Sequence, residues 1–190
     1  PRKGERRVEG NPMISIDPGA TGAIVFWDAS RLRHPTVHPM PKTKQDLHSI
    51  MARACSPNHG HYRHQPIVME DVGDGHLGNS MQSVVSFAKR RATLDTILSI
   101  LGLTPSLFLY RPQEWQNVVQ KSRGSTLPVG VGRLPKVEKK DVLNWVKTQV
   151  DCKVTLDHAD AVAIGLYHLQ NTKGLHHDKQ QERRAAVDGN

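Results

Sequence analysis

Short apolar runs that end in turn residues dominate the first part of the sequence. The segment 13–20 begins with apolar residues and ends in a Pro-Gly turn, and a second apolar run occupies 23–27. Runs bounded in this way predict two strands joined as a hairpin. A third strand is expected over 32–37, and Pro35 places it at an edge of the sheet because proline lacks a backbone donor.

Further along, apolar residues at helical spacing alternate with two more apolar runs. The pattern predicts helices over 42–54, 81–101, 112–120, 136–150 and 157–170, with strands at 66–71 and 106–111. The helix over 81–101 is expected to be amphipathic through Val84, Val85, Ala88, Leu94, Ile97, Leu98 and Leu101. Trp115 and Trp145 occupy apolar positions of later helices and are predicted to be core residues. A meander followed by strands that alternate with helices predicts an α/β domain: a mixed five-stranded sheet flanked by helices.

Length and composition fit a single globular domain with polar ends. The chain has 190 residues, of which 37% are hydrophobic and 23% are charged. We expect the domain to span 13–171, between a basic N-terminal extension at 1–12 and a polar C-terminal tail at 172–190. No apolar run approaches the ~18 residues that a membrane span requires.

The charge of the chain favours a polyanionic partner. The formal net charge is +8, and nucleic acid is the commonest polyanion that a basic protein binds, although a basic chain can also exist without such a partner. Cys55 and Cys152 are too far apart for a disulfide framework or a zinc site, so free thiols are expected. The loop histidines His59, His61 and His64 show no zinc-binding pattern and are interpreted as surface residues.

Acidic residues stand where two predicted strands end. Asp17 follows the first strand directly before Pro18-Gly19, where it either projects from the sheet edge or organises the turn through its own backbone. Glu70 ends a strand that is expected to be buried on both faces, so its carboxyl group is either desolvated or faces a cation. Asp71 points to the opposite face of that strand and is the rival candidate.

A second acidic pair stands at the start of the last predicted helix. Asp157 and Asp160 are three residues apart, which places both carboxylates on one face of a helix. Alternatively, they act as an N-cap and as favourable partners of the helix dipole. Ala159 and Ala161 flank the second acid and allow a close approach to the sheet. His158 lies between the two acids, where it either orients a water or phosphate or points away.

Four converging carboxylates repel one another unless divalent cations neutralise them. Ligand sets made only of oxygen suit Mg²⁺ or Mn²⁺. A pair of such ions supports phosphodiester hydrolysis by activating water and stabilising the leaving oxygen. The sequence therefore predicts a two-ion nuclease site of Asp17, Glu70, Asp157 and Asp160, with these four as both metal ligands and catalytic residues.

Three motifs resemble those of a known family. The segments ISIDPGATGAIVFWD, IVMEDV and LDHADAVAIGLYHL are similar, in order, to the acidic motifs of RuvC-type Holliday junction resolvases, in the phage and organellar branch. The resemblance covers roughly Met13 to Gln170. It implies an RNase H-like fold and a Mg²⁺-dependent crossover junction endodeoxyribonuclease that acts in DNA recombination. It also implies the same four carboxylates.

The resemblance further implies a homodimer that binds a four-way junction and packs through the helix at 81–101. Ser83, Lys89, Arg90 and Arg91 would then lie near DNA phosphates, although the basic trio is equally explained as a solvated helix face. Lys136, Lys139 and Lys140 precede the last acidic motif and are further candidates for phosphate contacts. The location expected from the branch is a mitochondrion or chloroplast, or the cytoplasm for a phage-type protein.

Two other functions stay open at this point. The loop after Glu70 has no aromatic residue to insert into a junction, and the Gly-rich insert at 122–135 has no counterpart in the family. These departures favour a non-catalytic binding or assembly factor in an organellar ribonucleoprotein, such as a mitochondrial ribosome assembly intermediate, with structured RNA as partner. Alternatively, the segment DPGATG is a phosphate loop of an actin-like ATPase, but such proteins need two domains of this size to enclose ATP.

Overall fold

A computed structural model describes residues 12–56, 62, 65–71, 81–122 and 136–172 of the chain. Within these ranges, one sheet of five strands has the order β3-β2-β1-β4-β5. The strands are β1 (Met13–Ile16), β2 (Ala23–Trp27), β3 (Thr36–Pro39), β4 (Ile67–Glu70) and β5 (Leu107–Tyr110). The helices are α1 (Lys44–Ala54), α2 (Met81–Ile100), α3 (Pro112–Ser122), α4 (Lys139–Gln149) and α5 (159–172). The predicted mixed five-stranded sheet flanked by helices is confirmed.

The directions of the strands bring the predicted acids to one edge of the sheet. β1 runs antiparallel to β2 and parallel to β4, and β4 runs parallel to β5. β3 is antiparallel to β2 and therefore runs the same way as β1. The carboxyl ends of β1, β3, β4 and β5 thus meet at one edge, which we call the carboxyl edge. Asp17 and Glu70 both stand there.

The sheet is covered on both faces by apolar side chains that alternate along each strand. Ile14 and Ile16 of β1 pack with buried residues of α1 and α2, including Leu47 and Leu94. Met13 and the β2 residues Val25 and Trp27 pack on the other face. The buried residues that cover that face come from α3, α4 and α5, including Trp115, Val119, Val142, Val146, Ala161 and Ile164.

A buried polar relay links the sheet to α5. The Trp27 indole Nε1 donates to Ser15 Oγ at 2.8 Å, and Ser15 Oγ donates to the Ala161 carbonyl oxygen at 2.7 Å. A side chain on Gly165 would meet the Trp27 ring at 2.6 Å, so α5 approaches the ring as closely as glycine permits. The relay satisfies all of its polar atoms and holds α5 against β1 and β2.

Among the differences between predicted and observed elements, three have a clear structural cause. The third strand lies at Thr36–Pro39 rather than 32–37, because backbone bonds from Arg31 to Asp28 and from His34 to Arg31 make turns of the preceding residues. The last helix begins at 159 rather than 157, because the His158 amide donates to Thr155 in a turn and the first helical bond runs from Val162 to His158.

The third correction concerns α2. Its C-terminal half packs on the sheet through Leu94, Ile97 and Leu98, but Val84 and Val85 are 42% and 43% exposed. A 20-residue helix is about 30 Å long, whereas a strand of four residues spans only about 13 Å. The N-terminal half of α2 therefore extends past the sheet and is not amphipathic against it.

Several predicted features lie outside the described residues: the ends at 1–11 and 173–190, the loop at 72–80, most of the insert at 122–135, and the histidines His59, His61 and His64. Cys55 and Cys152 are free thiols, as predicted, although Cys152 is only half-buried. Among the described helices, none is both long and apolar enough to cross a membrane.

Candidate functional site

Asp17 occupies the turn that leaves β1, and the turn holds its carboxyl group inward. Its side chain is buried, and its Oδ1 accepts a hydrogen bond from the Gly19 amide at 2.8 Å. A side chain on Gly22 would meet the Asp17 carbonyl oxygen at 2.1 Å, so only glycine fits there. Burial raises the pKa of Asp17 despite the Gly19 bond, with Lys139 lowering it and Asp157 raising it by their charges. The acid thus both organises its turn and faces the carboxyl edge.

Glu70 faces the same site, whereas Asp71 does not. Burial raises the pKa of Glu70 to about 8, and the charges of Asp17 and Asp160 add to the rise. Asp71 instead lies 3.6 Å from the guanidinium of Arg91. Of the two candidates at this strand end, the structure brings Glu70 to the acidic cluster.

Asp160 completes the cluster, and Asp157 stands at its margin. The Asp160 side chain is only 16% exposed, and burial raises its pKa to about 6, with Asp17 contributing by charge. Asp157 lies in the turn before α5, is exposed, and acts by its charge on Asp17. The expectation that both acids share one helical face is therefore wrong, because the helix starts after Asp157. His158 lies half-buried in the same turn.

Lys139, at the first residue of α4, is the cation nearest the cluster. Its Nζ lies 4.0 Å from Asp160 Oδ2, and its charge lowers the pKa values of Asp17, Glu70 and Asp160. The side chain is 58% exposed, so it reaches from solvent towards the acids. Sequence reasoning placed Lys139 among DNA contacts but did not place it against the acidic cluster.

Trp115 is a polar neighbour that sequence reasoning treated only as a core residue. The residue is 1% exposed, and its indole Nε1 has no hydrogen-bond partner among the described atoms. The indole lies close enough to Glu70 to lower the pKa of that carboxyl group, although the pair is outside ordinary hydrogen-bonding geometry. An N–H donor beside a carboxyl group favours its charged form. The direction of an indole inside a core leaves no trace in the sequence.

The donor set fits a hard divalent cation in chemistry and in charge. Asp17, Glu70 and Asp160 offer only oxygen atoms, and each is desolvated beside another acid, a situation that a cation relieves. Within the described ranges, however, no group of three or more His, Cys, Asp or Glu side chains lies close enough to hold one ion. Binding an ion would therefore require these carboxyl groups to move closer together.

The predicted DNA contacts fall into two groups. Lys89, Lys136 and Lys140 are exposed and Arg90 is half-exposed, although Lys140 is paired with Glu138. Arg91 is engaged internally by Asp95 at 3.0 Å, by Asp71, and by the Glu70 carbonyl oxygen at 3.5 Å. Because these acids already neutralise its charge, Arg91 is not expected to contact DNA. Ser83 lies in α2, but its side chain is outside the described part of the structure.

The raised pKa values predict how stability depends on pH. A carboxyl group whose pKa is higher in the folded state than in the unfolded state keeps its proton on folding, so stability falls as pH rises between the two values. For Glu70 this window runs from 4.5 to about 8, and for Asp160 from 3.8 to about 6. At about 1.4 kcal/mol for each pKa unit, we expect the protein in EDTA to lose up to about 5 kcal/mol of unfolding free energy between about pH 5 and pH 8.5.

Urea unfolding at each pH measures this loss. The variant Glu70→Gln should remove most of it, because the neutral amide needs no proton, while Asp151→Asn should keep it, because Asp151 is an exposed partner of Arg33. A wild-type free energy that is flat or rises across the window would show that the carboxyl groups are solvated.

Comparison with known proteins supports the fold alone. No protein-family model and no curated protein sequence matches the chain. Among solved structures, it is similar to Thermus thermophilus RuvC in complex with a Holliday junction substrate, at 15% sequence identity and a TM-score of 0.52 over 84% of this chain and 92% of that one. A second Thermus thermophilus RuvC structure matches at 17% identity and a TM-score of 0.48, over 83% and 92% of the two chains. The chain thus has an RNase H-like fold of the RuvC kind.

Proposed function

We propose that this RNase H-like chain is a structure-selective endodeoxyribonuclease that resolves four-way DNA junctions by metal-dependent phosphodiester hydrolysis. The observation that supports the proposal is the meeting of Asp17, Glu70 and Asp160 at the carboxyl edge, where each acid is desolvated beside another. Structural ion pairs explain such a cluster poorly, because the only described cation beside it, Lys139, is more than half exposed. Perturbed carboxyl groups at a sheet edge are typical of functional sites.

Each residue of the site has a role that follows from its position. Asp17, Glu70 and Asp160 would hold one or two Mg²⁺ or Mn²⁺ ions, and Asp157 would assist from the margin. The ions, when bound, would supply a nucleophile at neutral pH and stabilise the charge on the leaving 3′ oxygen. The Gly19 amide fixes one Asp17 oxygen and leaves the other free to bind. Trp115 favours the ionised form of Glu70, and the exposed ammonium of Lys139 can contact the phosphate.

The proposed substrate rests on charge and on the fold. The structural neighbour was solved with a Holliday junction substrate, and the net charge of +8 suits a DNA partner. The exposed Val84 and Val85 on the projecting half of α2 give a second copy of the chain an apolar surface to bind. We therefore propose a homodimer that presents two sites to one junction. For location, we propose an organelle.

Cutting of a synthetic four-way junction tests the proposal directly. We expect the wild-type chain to cut the junction in Mg²⁺ or Mn²⁺, to leave a linear duplex of the same sequence intact, and to lose all cutting in EDTA. Gel analysis of end-labelled strands measures each of these. Equal cutting of junction and duplex would refute structure selectivity, and no cutting with either metal would refute the nuclease.

Two observations favour a second candidate, a non-catalytic factor in an organellar ribonucleoprotein. Among the described residues the acids form no ready ligand set for an ion, and Lys139 stands 4.0 Å from Asp160 as a cation of the chain itself. This candidate predicts co-sedimentation with ribosomal particles and binding of structured RNA, with no nuclease activity in either metal. Junction cutting by the purified chain would exclude it as the sole function.

A further inference from the structure

We propose that a basic groove between α1 and the middle of α2 binds the sugar–phosphate backbone of a DNA arm that leads into the site. The inference rests on the proposed function, since it names a second contact surface for the same substrate. The groove has a volume of about 250 Å³, and its basic lining residues are Lys42, Lys44, Lys89 and Arg90. Among the residues that the structure describes, no carboxylate lines it.

Both walls of the groove begin at the carboxyl edge. The Met40 amide, two residues before Lys42, donates to the Gly22 carbonyl oxygen at 2.8 Å and extends the β2–β3 pairing. In the neighbouring β1–β2 pairing, the Asp17 amide donates to the Ala23 carbonyl oxygen at 3.0 Å. On the other wall, the Arg91 guanidinium reaches the Glu70 carbonyl oxygen at 3.5 Å. Arg91 directly follows Lys89 and Arg90 in the sequence, so each wall of the groove starts near the edge of the sheet that carries the acids.

The four cations of the groove have no counter-charge in the described part of the chain. No ion pair there involves Lys42, Lys44, Lys89 or Arg90, in contrast to Arg91, which Asp95 and Asp71 neutralise. The nearest carboxylate by sequence is Asp46, which accepts a hydrogen bond from the Thr43 hydroxyl at the start of α1. Like charges gathered on two facing elements repel one another, and a polyanion that enters between them removes the repulsion.

The length of the groove favours a chain of phosphates over a single anion. A second depression of about 830 Å³ continues it along α1 and α2, sharing Lys44 and Lys89 and adding His48 and Thr96. A linear polyanion can follow such a path and contact Lys44 and Lys89 where the two depressions meet. Phosphate contacts of this kind position a nucleic acid and carry no sequence information, which suits an enzyme that selects a shape.

The salt dependence of junction binding tests the groove. The variant Lys42→Gln/Lys44→Gln removes two cations that lie outside the acidic site. We expect the slope of log affinity against log salt to fall by about two, and junction affinity to fall by about 10- to 100-fold at about 0.1 M salt. The matched control is Arg31→Gln/Lys147→Gln, which removes two exposed cations at the opposite edge of the sheet. Its log affinity should depend more steeply on log salt than that of the groove variant.

Each outcome separates the groove from the proposed function. A groove variant with the slope of the control, in a protein whose wild type cuts junctions, overturns the groove and leaves the nuclease in place. A wild-type chain that neither binds nor cuts DNA overturns both. An RNA duplex serves as a second ligand, and a change in slope for RNA alone shows that the phosphates come from RNA and also overturns the inference. Circular dichroism of both double variants checks that they are folded.

Discussion

Replacing Asp17 by asparagine should reduce the rate of junction cutting by about a thousandfold or more, which corresponds to about 4 kcal/mol of transition-state stabilisation. The reason is local. The negative charge of Asp17 raises the pKa values of Glu70 and Asp160, so the three carboxyl groups belong to one site. The side-chain amide of asparagine lacks the negative oxygen that an ion needs. Asparagine keeps the oxygen that accepts from the Gly19 amide, so the turn after β1 survives. Junction affinity, which depends on cations elsewhere, should change little. Single-turnover cutting and equilibrium binding of the same labelled junction measure the two effects.

The matched control is Asp151→Asn, which removes one acid at the opposite edge of the sheet, where Asp151 pairs with Arg33 at 3.0 Å. This variant should cut at the wild-type rate. Cutting by Asp17→Asn at the wild-type rate would refute the assignment of the site. Equal loss of binding and cutting would instead mean that Asp17 acts only through the fold.

Substitutions of the four predicted acids should not slow junction cutting equally. Asp157 is exposed and lies before the helix, whereas Asp17 is buried and Glu70 and Asp160 are half-buried beside it. We expect Asp157→Asn to slow cutting by about tenfold or less, equivalent to about 1.4 kcal/mol. Glu70→Gln and Asp160→Asn should approach the loss seen for Asp17. A thousandfold loss in Asp157→Asn would show that the turn before α5 closes onto the site when DNA binds.

The second large effect is on stability. Gly165→Ala should lower the free energy of unfolding by about 3 kcal/mol, because the added methyl group would meet the Trp27 ring at 2.6 Å. In a chain of this length, that loss corresponds to a fall in melting temperature of roughly 6–12 °C. Helix propensity alone predicts the opposite, since alanine is favoured over glycine inside a helix by about 1 kcal/mol. The sign of the change therefore decides between packing and propensity.

A double-mutant cycle with Trp27→Phe identifies the contact. The smaller ring leaves room for the methyl group, so Gly165→Ala should cost less in that background, with a coupling energy of about 1–2 kcal/mol. Thermal unfolding of the wild type, the two single variants and the double variant gives the unfolding free energies from which the coupling energy is calculated. Additive effects would mean that α5 does not pack on Trp27 as described.

The sheet and its acidic edge could be predicted from the sequence because each depends on short-range patterns. Apolar runs that end at turns located β1, β2 and β4, and an acid at a strand end can only stand at a sheet edge. What failed depends either on a single local hydrogen bond or on tertiary geometry. The start of α5 was misplaced because one amide, that of His158, bonds to Thr155 instead of continuing a helix. The exposure of Val84 depends on how far the sheet extends beneath α2.

The candidate site shows the same division. The alternation of side chains along the strand showed only that Glu70 and Asp71 point to opposite faces. The structure identifies Glu70 as the residue of the site, because Asp71 pairs with Arg91 instead. Trp115 was correctly predicted to be buried, but nothing in its spacing indicates that its indole N–H faces Glu70. Residues brought together by separate elements, such as Lys42 and Lys89, are visible only once the helices are packed.

The hydrogen bonds from Trp27 to Ser15 and from Ser15 to the Ala161 carbonyl oxygen fix the backbones of two acids of the site relative to each other. Asp17 is two residues from Ser15, and Asp160 directly precedes Ala161, so the spacing of their backbones cannot change without breaking buried hydrogen bonds. Glu70 has no such tie to α5 among the described contacts. Amide exchange around Ala161 should consequently require opening of the whole core, and any adjustment of the site to an incoming ion falls to side-chain rotation and to the Glu70 strand end.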